Sequence, residues 1–179
     1  IERYPDEWLW SHKKWKSSPV RKVLVLNDGR AGHLNQSLAV SEMTQEALGL
    51  KLKAGGIMEK PEAETKVVRI RFRNRFCRAL LDVCSFFASS RCRGCMRCVR
   101  FCLRKKSRDV IREYADLIIS CGSQTSALNI FLKYENNAKN VIIMKPGLRK
   151  AGKSDVVILH GHDRPRRIRP NTVLTDVAP

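Results

Sequence analysis

Apolar residues occur along this chain in short runs of four or five, separated by stretches where they recur at every third or fourth place. Val23 to Leu26 is such a run, rich in Val and Leu. The turn-rich Asn27-Asp28-Gly29-Arg30-Ala31-Gly32 follows it, and then a helical pattern from about Leu34 to Leu48. Lys51 to Glu64 has no period and holds Gly55, Gly56 and Pro61, so it reads as a loop. Val67 to Phe72 alternates like a strand and leads into a long helical region. Leu117 to Cys121 is again a buried-strand run, and Gly122 to Ser126 opens a helix to about Tyr134. Val141 to Met144, Val156 to Leu159 and Thr172 to Leu174 predict three more strands. Strands alternating with helices predict an α/β fold: a Rossmann-like parallel sheet with helices on both faces.

The first sixteen residues stand apart, holding all three Trp, and Ser17, Ser18 and Pro19 end their pattern. The expected organisation is therefore a tail over 1–16, a linker over 17–21 and a Rossmann-like domain over 22–179. A length of 179 residues with 43 % apolar content suffices for one full domain with a core, which argues against wholesale disorder. The longest apolar stretch, Ala79 to Ser90, is short and interrupted by Asp82, so no spanning helix is expected. The chain starts at Ile without a charged, apolar, small-residue leader, and reads as a piece of a longer one. Seven Cys in a chain with this much core suggest reduced thiols in the cytoplasm rather than a disulfide scaffold.

Charge changes the picture locally. Lys66 to Arg108 holds fourteen Lys or Arg against one acid, Asp82, and so supplies +13 of the net +18. Such a block attracts an anionic surface, either a nucleic acid backbone or an anionic membrane leaflet. Within it Cys77, Leu81, Cys84, Ala88, Cys95, Cys98 and Cys102 recur mostly at spacings of three or four, with Phe86, Phe87 and Phe101 adding bulk. A basic amphipathic helical segment at about 74–108 is expected, suited to a membrane surface. The plainer reading is a helix packed inward while its Arg side chains face water.

Polar residues of unusual kind fall after the strands, where an open parallel sheet gathers its ligands. Asp28, Gly29, Arg30, Gly32, His33, Asn35 and Gln36 follow the first strand, Gly122, Ser123 and Gln124 follow the Leu117 run, and Lys145 follows the Val141 run. His160, His162 and Asp163 follow the Val156 run, so four loops are expected to face one cleft. Each has an ordinary alternative as turn chemistry, N-cap or helix breaker. Neither G-x-G-x-x-G nor G-x-x-x-x-G-K-[ST] occurs, which argues against dinucleotide and P-loop nucleotide binding, and no G-x-S-x-G points to a serine hydrolase.

Cys92, Cys95, Cys98 and Cys102 fit C-x2-C-x2-C-x3-C, a spacing known from iron–sulfur ferredoxins, although Leu103 stands where Pro usually follows. Packing on the apolar stripe of a helix is the competing and favoured explanation, so no metal is expected there. Thiols beside Arg93, Arg97 and Arg100 would have lowered pKa values.

The stretch Arg21 to Gln36, with its Asn-Asp-Gly-Arg-Ala-Gly-His-x-Asn-Gln core, resembles the mitochondrial fission "elongated mitochondria" family and its bacterial relatives. Ile118 to Asn129, Lys139 to Pro146, and His162-Asp163 followed by Asn171 to Thr175 resemble that family in the same order, with the basic Cys-rich middle matching least. The resemblance implies the N-terminal half of a two-domain GT-B glycosyltransferase-like protein, with a nucleotide-sugar donor held by a C-terminal half, so that this part alone would be inactive. Tyr4 to Lys16 resembles the closing segment of bacterial lipid A lauroyl or myristoyl acyltransferases, although no His here is followed by Asp five positions later. Together the two imply an upstream acyltransferase partner and a protein peripheral on the inner membrane, in the cytoplasm, acting on a lipid A-like glycolipid acceptor. Nucleic acid is not an expected partner. In that setting Asp28, Gly29, Arg30, Gly32, Asn35, Gln36, Gly122, Ser123, Gln124 and Lys145 would bind ligand, Arg30 pairing a phosphate, and His33, His162 and Asp163 would move the proton. A non-catalytic membrane scaffold, or an iron–sulfur or nucleic-acid module, are the alternatives.

Overall fold

The computed structural model describes residues 20–54, 63–147, 150–161 and 168–175. The Trp-rich segment lies outside them. Six strands form one sheet: β1 (Arg21–Asn27), β2 (Ala63–Arg69), β3 (Leu117–Cys121), β4 (Lys139–Ile143), β5 (Val156–His160) and β6 (Thr172–Thr175). Their order is β2-β1-β3-β4-β5-β6, and every pair is parallel. The expected Rossmann-like α/β fold is the one found.

Parallel strands need covered faces, which explains why the central strands are continuous apolar runs instead of alternating ones. On β1, Val23 and Val25 face one side and Leu24 and Leu26 the other. The first pair packs with Ile119, Val141 and Ile143 beneath Val40 of helix α1 (Ala31–Ala54). The second pair packs with Ile118 against α2 (Arg75–Phe87), α3 (Arg97–Cys102) and α4 (Ser123–Asn136). α4 is the central helix of that side, with every residue from Thr125 to Leu132 buried. The edge strands are less committed, and Val173 on β6 and Val67 on β2 are exposed.

A polar ladder crosses the core. Asn129 Nδ2 on α4 donates to Ser120 Oγ of β3 at 2.8 Å, and Asn140 Nδ2 of β4 donates to Asn129 Oδ1 at 2.6 Å. Asn140 also exchanges two bonds with Asp155, ahead of β5. These amides are fully buried, so each bond satisfies a group that would otherwise be costly.

Boundaries shift where tertiary contacts override local pattern. α1 begins at Ala31, so Gly32 belongs to its first turn instead of the preceding loop, and the helix runs on to Ala54. β2 starts at Ala63 and ends at Arg69, earlier than the alternating run suggested, because its register is set by β1. The largest correction concerns the basic segment, which is not one helix. α2 ends at Phe87 with Ala88 as its C-cap, a 3-10 turn spans Ser90–Cys92, and α3 starts only at Arg97. Ser89 is extended and Gly94 takes φ +78, a conformation no helix continues through. A further 3-10 segment, Lys105–Arg112, leads to β3.

Candidate functional site: the cleft between the first and third strands

Sheet order reverses between β1 and β3, one leading outward to β2 and the other inward to β4. In parallel sheets ligands gather at the carboxyl ends of the strands at such a reversal, and here α1 and α4 begin just after β1 and β3 at that point. Asp28, Gly29 and Arg30 form the turn after β1. Asn27 Oδ1 accepts from Gly29 N at 2.6 Å and Asp28 Oδ1 from Arg30 N at 3.0 Å, so two side chains bend the backbone into the helix start.

His33, one turn into α1, is held by Asp28. Its Nδ1 lies 2.8 Å from Asp28 Oδ2, and the Asp28 side chain is only 3 % exposed. A carboxylate accepts, so Nδ1 donates and Nε2 remains as the acceptor nitrogen of the ring. Gly122 stands against this ring: a Cβ there would meet His33 Cε1 at 2.9 Å, and the residue has φ +79. Glycine is required twice over, by backbone conformation and by the imidazole.

Further along α1, Gln36 crosses to the third and fifth strands. Its Oε1 accepts from Cys121 Sγ at 3.2 Å, and its Nε2 is 3.4 Å from His160 Nε2. Burial pushes the Cys121 thiol up to about 12, the neighbouring Asp28 charge adding to the effect. It acts here as a hydrogen-bond donor to Gln36. On the fourth loop, Gly147 lies against Ser123.

The loops after β1, β3 and β4 thus come together around His33, Gly122 and Ser123, and Gln36 reaches His160 at the end of β5. Arg30 hangs at the rim, its side chain 64 % exposed and 4.0 Å from Asp28. Asn35 and Lys145 are exposed. His162 and Asp163 lie outside the described residues. Two participants escaped the sequence reading: Cys121, which looked like an ordinary strand residue, and Arg69, whose guanidinium comes 3.1 Å from a Cβ placed on Gly29. Arg69 was visible only as one charge among many.

The four cysteines of the ferredoxin-like spacing are spread over different elements. Cys98 and Cys102 pack with Cys77 and Cys84 where α2 meets α3, Cys92 lies in the 3-10 turn and Cys95 is exposed. Among the described residues no group of three or more Cys, His, Asp or Glu is placed to hold a metal ion. Burial raises Cys98, against the lowering expected from neighbouring Arg, and pushes Cys102 up to about 11, with Cys77 beside it adding to the effect.

Apart from Cys95, the apolar row that the spacing picked out packs inward, as the plainer reading expected. Cys77, Leu81, Ala88 and Cys102 are buried in the core. A different row is exposed: Phe76, Leu80, Val83 and Phe87 of α2, with Phe101 of α3 also exposed. Arg73 stacks on Phe101, 4.9 Å from the ring centre.

A family model described as mitochondrial fission ELM1 matches residues 31–179, from the first residue of α1 through every later element. No curated protein and no solved structure matches the chain. With the match extending over far more than half its length, the chain belongs to the mitochondrial fission ELM1 family.

Proposed function

We propose that this chain is the acceptor-binding, Rossmann-like half of a glycosyltransferase-like protein that docks peripherally on an anionic inner membrane and handles lipid A or a related envelope glycolipid. The observation that carries the reading is the exposed row on α2. Phe76 is 71 % exposed and Phe87 80 %, with Leu80 and Val83 between them, at spacings of four, three and four. Water-facing aromatics at helical spacing contribute nothing to the core, and Arg75, Arg78, Arg91, Arg97 and Arg100 are carried by the same segment. Apolar side chains that enter the acyl boundary, surrounded by cations that meet lipid phosphates, are the requirements of an interfacial helix. A nucleic acid would use the cations but leave the Phe row unmatched. None of the helices is long and apolar enough to cross a membrane among the described residues, so docking is the mode proposed.

In this reading the cleft receives the headgroup. Arg30 at the rim pairs an anionic group, and the first-turn amides of α1 and α4 face the same space. His33, oriented by Asp28, is the group suited to accept a proton from a hydroxyl through Nε2. The donor nucleotide-sugar belongs to a second half. A second reading, a non-catalytic membrane-binding scaffold, would use the same helix face and leave the His33–Asp28 pair without a chemical task.

Vesicle sedimentation tests the shared premise. The chain should bind phosphatidylglycerol-rich vesicles and not pure phosphatidylcholine, and Phe76→Ser with Phe87→Ser should weaken binding about tenfold or more while leaving the circular dichroism spectrum unchanged. Undiminished binding by that variant would remove the α2 face from the proposal.

A further inference from the structure

We infer that a second, arginine-lined groove beside the cleft is a binding site for a phosphomonoester or diphosphate group. It lies between the end of β2, the start of α2 and the start of α4, and has a volume of about 450 Å³. Arg71, Arg73, Arg75, Arg78 and Arg104 line it together with Gln124.

The sequence Ile70-Arg71-Phe72-Arg73-Asn74-Arg75 builds one wall. Alternation along an extended chain turns successive side chains to opposite faces, so Ile70 is buried and Phe72 packs against the core while Arg71 and Arg73 face out. Asn74 then caps α2, its Oδ1 accepting from Cys77 N at 2.7 Å, and Arg75 and Arg78 fall on the first turn of that helix. The fifth guanidinium comes from far along the chain. Phe72 forms an antiparallel bridge with Leu103, Arg73 N donates to Cys102 O at 2.9 Å, and Arg104 N donates to Arg71 O at 3.0 Å. That short ladder sets Arg104 alongside Arg71.

Three features distinguish this groove from a merely solvated basic face. No acidic residue lines it, and none of its five arginines takes part in an ion pair among the described residues. Two of the five sit at the positive end of α2, whose first turn holds no acid, which is the less favourable end for a cation. The five arginines also line one shared space, an open groove instead of an enclosed cavity. Self-repelling charges held together against a helix dipole are relieved by one kind of occupant, a compact multivalent anion. Planar forked donors match phosphate oxygens in pairs, and Gln124 adds a neutral amide.

Position relates the groove to its surroundings. Gln124 is the second residue of α4, whose N-cap Gly122 touches His33, so groove and cleft share one helix start. On the other side the exposed row of α2 begins at Phe76, the residue after Arg75. A phosphate carried on a lipid would have its apolar part beside that row, whereas a soluble phosphorylated compound would use the groove alone. The phosphate site stands on the arginines themselves; its service as an acceptor subsite rests on the membrane reading above.

The test titrates the full chain with inorganic pyrophosphate, and separately with phosphatidylcholine vesicles doped with phosphatidic acid. Arg71→Gln with Arg104→Gln is compared with Lys106→Gln with Arg112→Gln, which removes the same charge from exposed positions outside the groove and outside the proposed membrane face. Loss of about tenfold or more in pyrophosphate affinity for the first pair, against less than about twofold for the second, is expected. If vesicle affinity falls in parallel, the phosphate is a lipid headgroup; if it does not, the ligand is a soluble phosphorylated compound. Pyrophosphate binding without any vesicle binding would sink the membrane reading and keep the groove. Equal losses in both pairs, or no pyrophosphate binding by the unaltered chain, would overturn the site.

Discussion

Helices α2 and α4 lie on the same side of the sheet and are both rich in apolar residues, yet they are used differently. α4 is buried on all sides from Thr125 to Leu132, between the strands and the α2–α3 pair. α2 carries two apolar rows offset by one residue, roughly 100° around the axis. Cys77, Leu81 and Ser85 face inward, while Phe76, Leu80, Val83 and Phe87 face water. A helix needs a single apolar face to be held by its own domain. The second row on α2 is not enclosed by the domain, and it is the feature on which the docking proposal rests.

α2 is also fastened by polar contacts instead of by enclosure. Lys150, itself buried, reaches Asp82 Oδ1 at 2.6 Å and Ser126 Oγ at 3.0 Å, tying α2 to α4 through one ammonium. Lys153 Nζ donates to the carbonyls of Ser85 and Ala88, at 3.0 and 2.7 Å, and to that of Phe86. Three last-turn carbonyls thus receive a cation where the helix dipole favours one, and burial lowers the pKa of that lysine. The outer row stays clear because the anchoring is done from beneath.

Substitution at matched positions would break the contrast most sharply. Leu128→Ala, within α4, should cost about 2–5 kcal/mol in a denaturant titration, since it opens a cavity in a closed core. Phe87→Ser on the outer row of α2 should shift stability by less than about 0.5 kcal/mol despite removing a larger side chain. A comparable loss for both would mean that the outer row is packed after all. At the cleft, Gly122→Ala should destabilise by about 1–3 kcal/mol, because the new methyl group meets the His33 ring and φ is positive. Unchanged stability would show that this close approach is not a real constraint.

The smallest effect is on pH dependence, and it sharpens the same inside–outside distinction. Burial raises Cys98, Cys102 and Cys121, so the folded chain keeps thiol protons that the unfolded chain loses above about 8.5. Their stabilisation is complete below that pH and drains away as pH climbs towards the folded values of about 11 for Cys102 and about 12 for Cys121. One unit above the unfolded value the loss should be about 1 kcal/mol per thiol, and Cys121→Ala should flatten the decline of the thermal midpoint. A midpoint insensitive to pH up to about 10 would contradict the burial of these thiols.

Strand periodicity reached the fold because a parallel sheet leaves a direct mark. Val23 to Leu26 is apolar throughout and Leu117 to Cys121 is so apart from Ser120, since both faces are covered. The turn residues Asp28, Gly29 and Gly122 were also recognisable, because their backbone geometry restricts what can stand there. The helix break at Ser89 to Gly94 was overlooked, as the regular cysteine spacing continued across it.

By itself, the order of residues determined the alternation of strands and helices, the sites of the turns and the concentration of positive charge, all of which are local properties of backbone and side chain. Packing decided the rest. Periodicity places Phe76 and Cys77 on neighbouring faces of α2 but cannot say which face the sheet covers; that depended on Leu81 and Ser85 finding the α4 side and on Asp82 meeting Lys150 across 68 residues. The same holds for the five arginines, which became a groove only when the Leu103 bridge laid residue 104 beside residue 71, a juxtaposition no local spacing encodes.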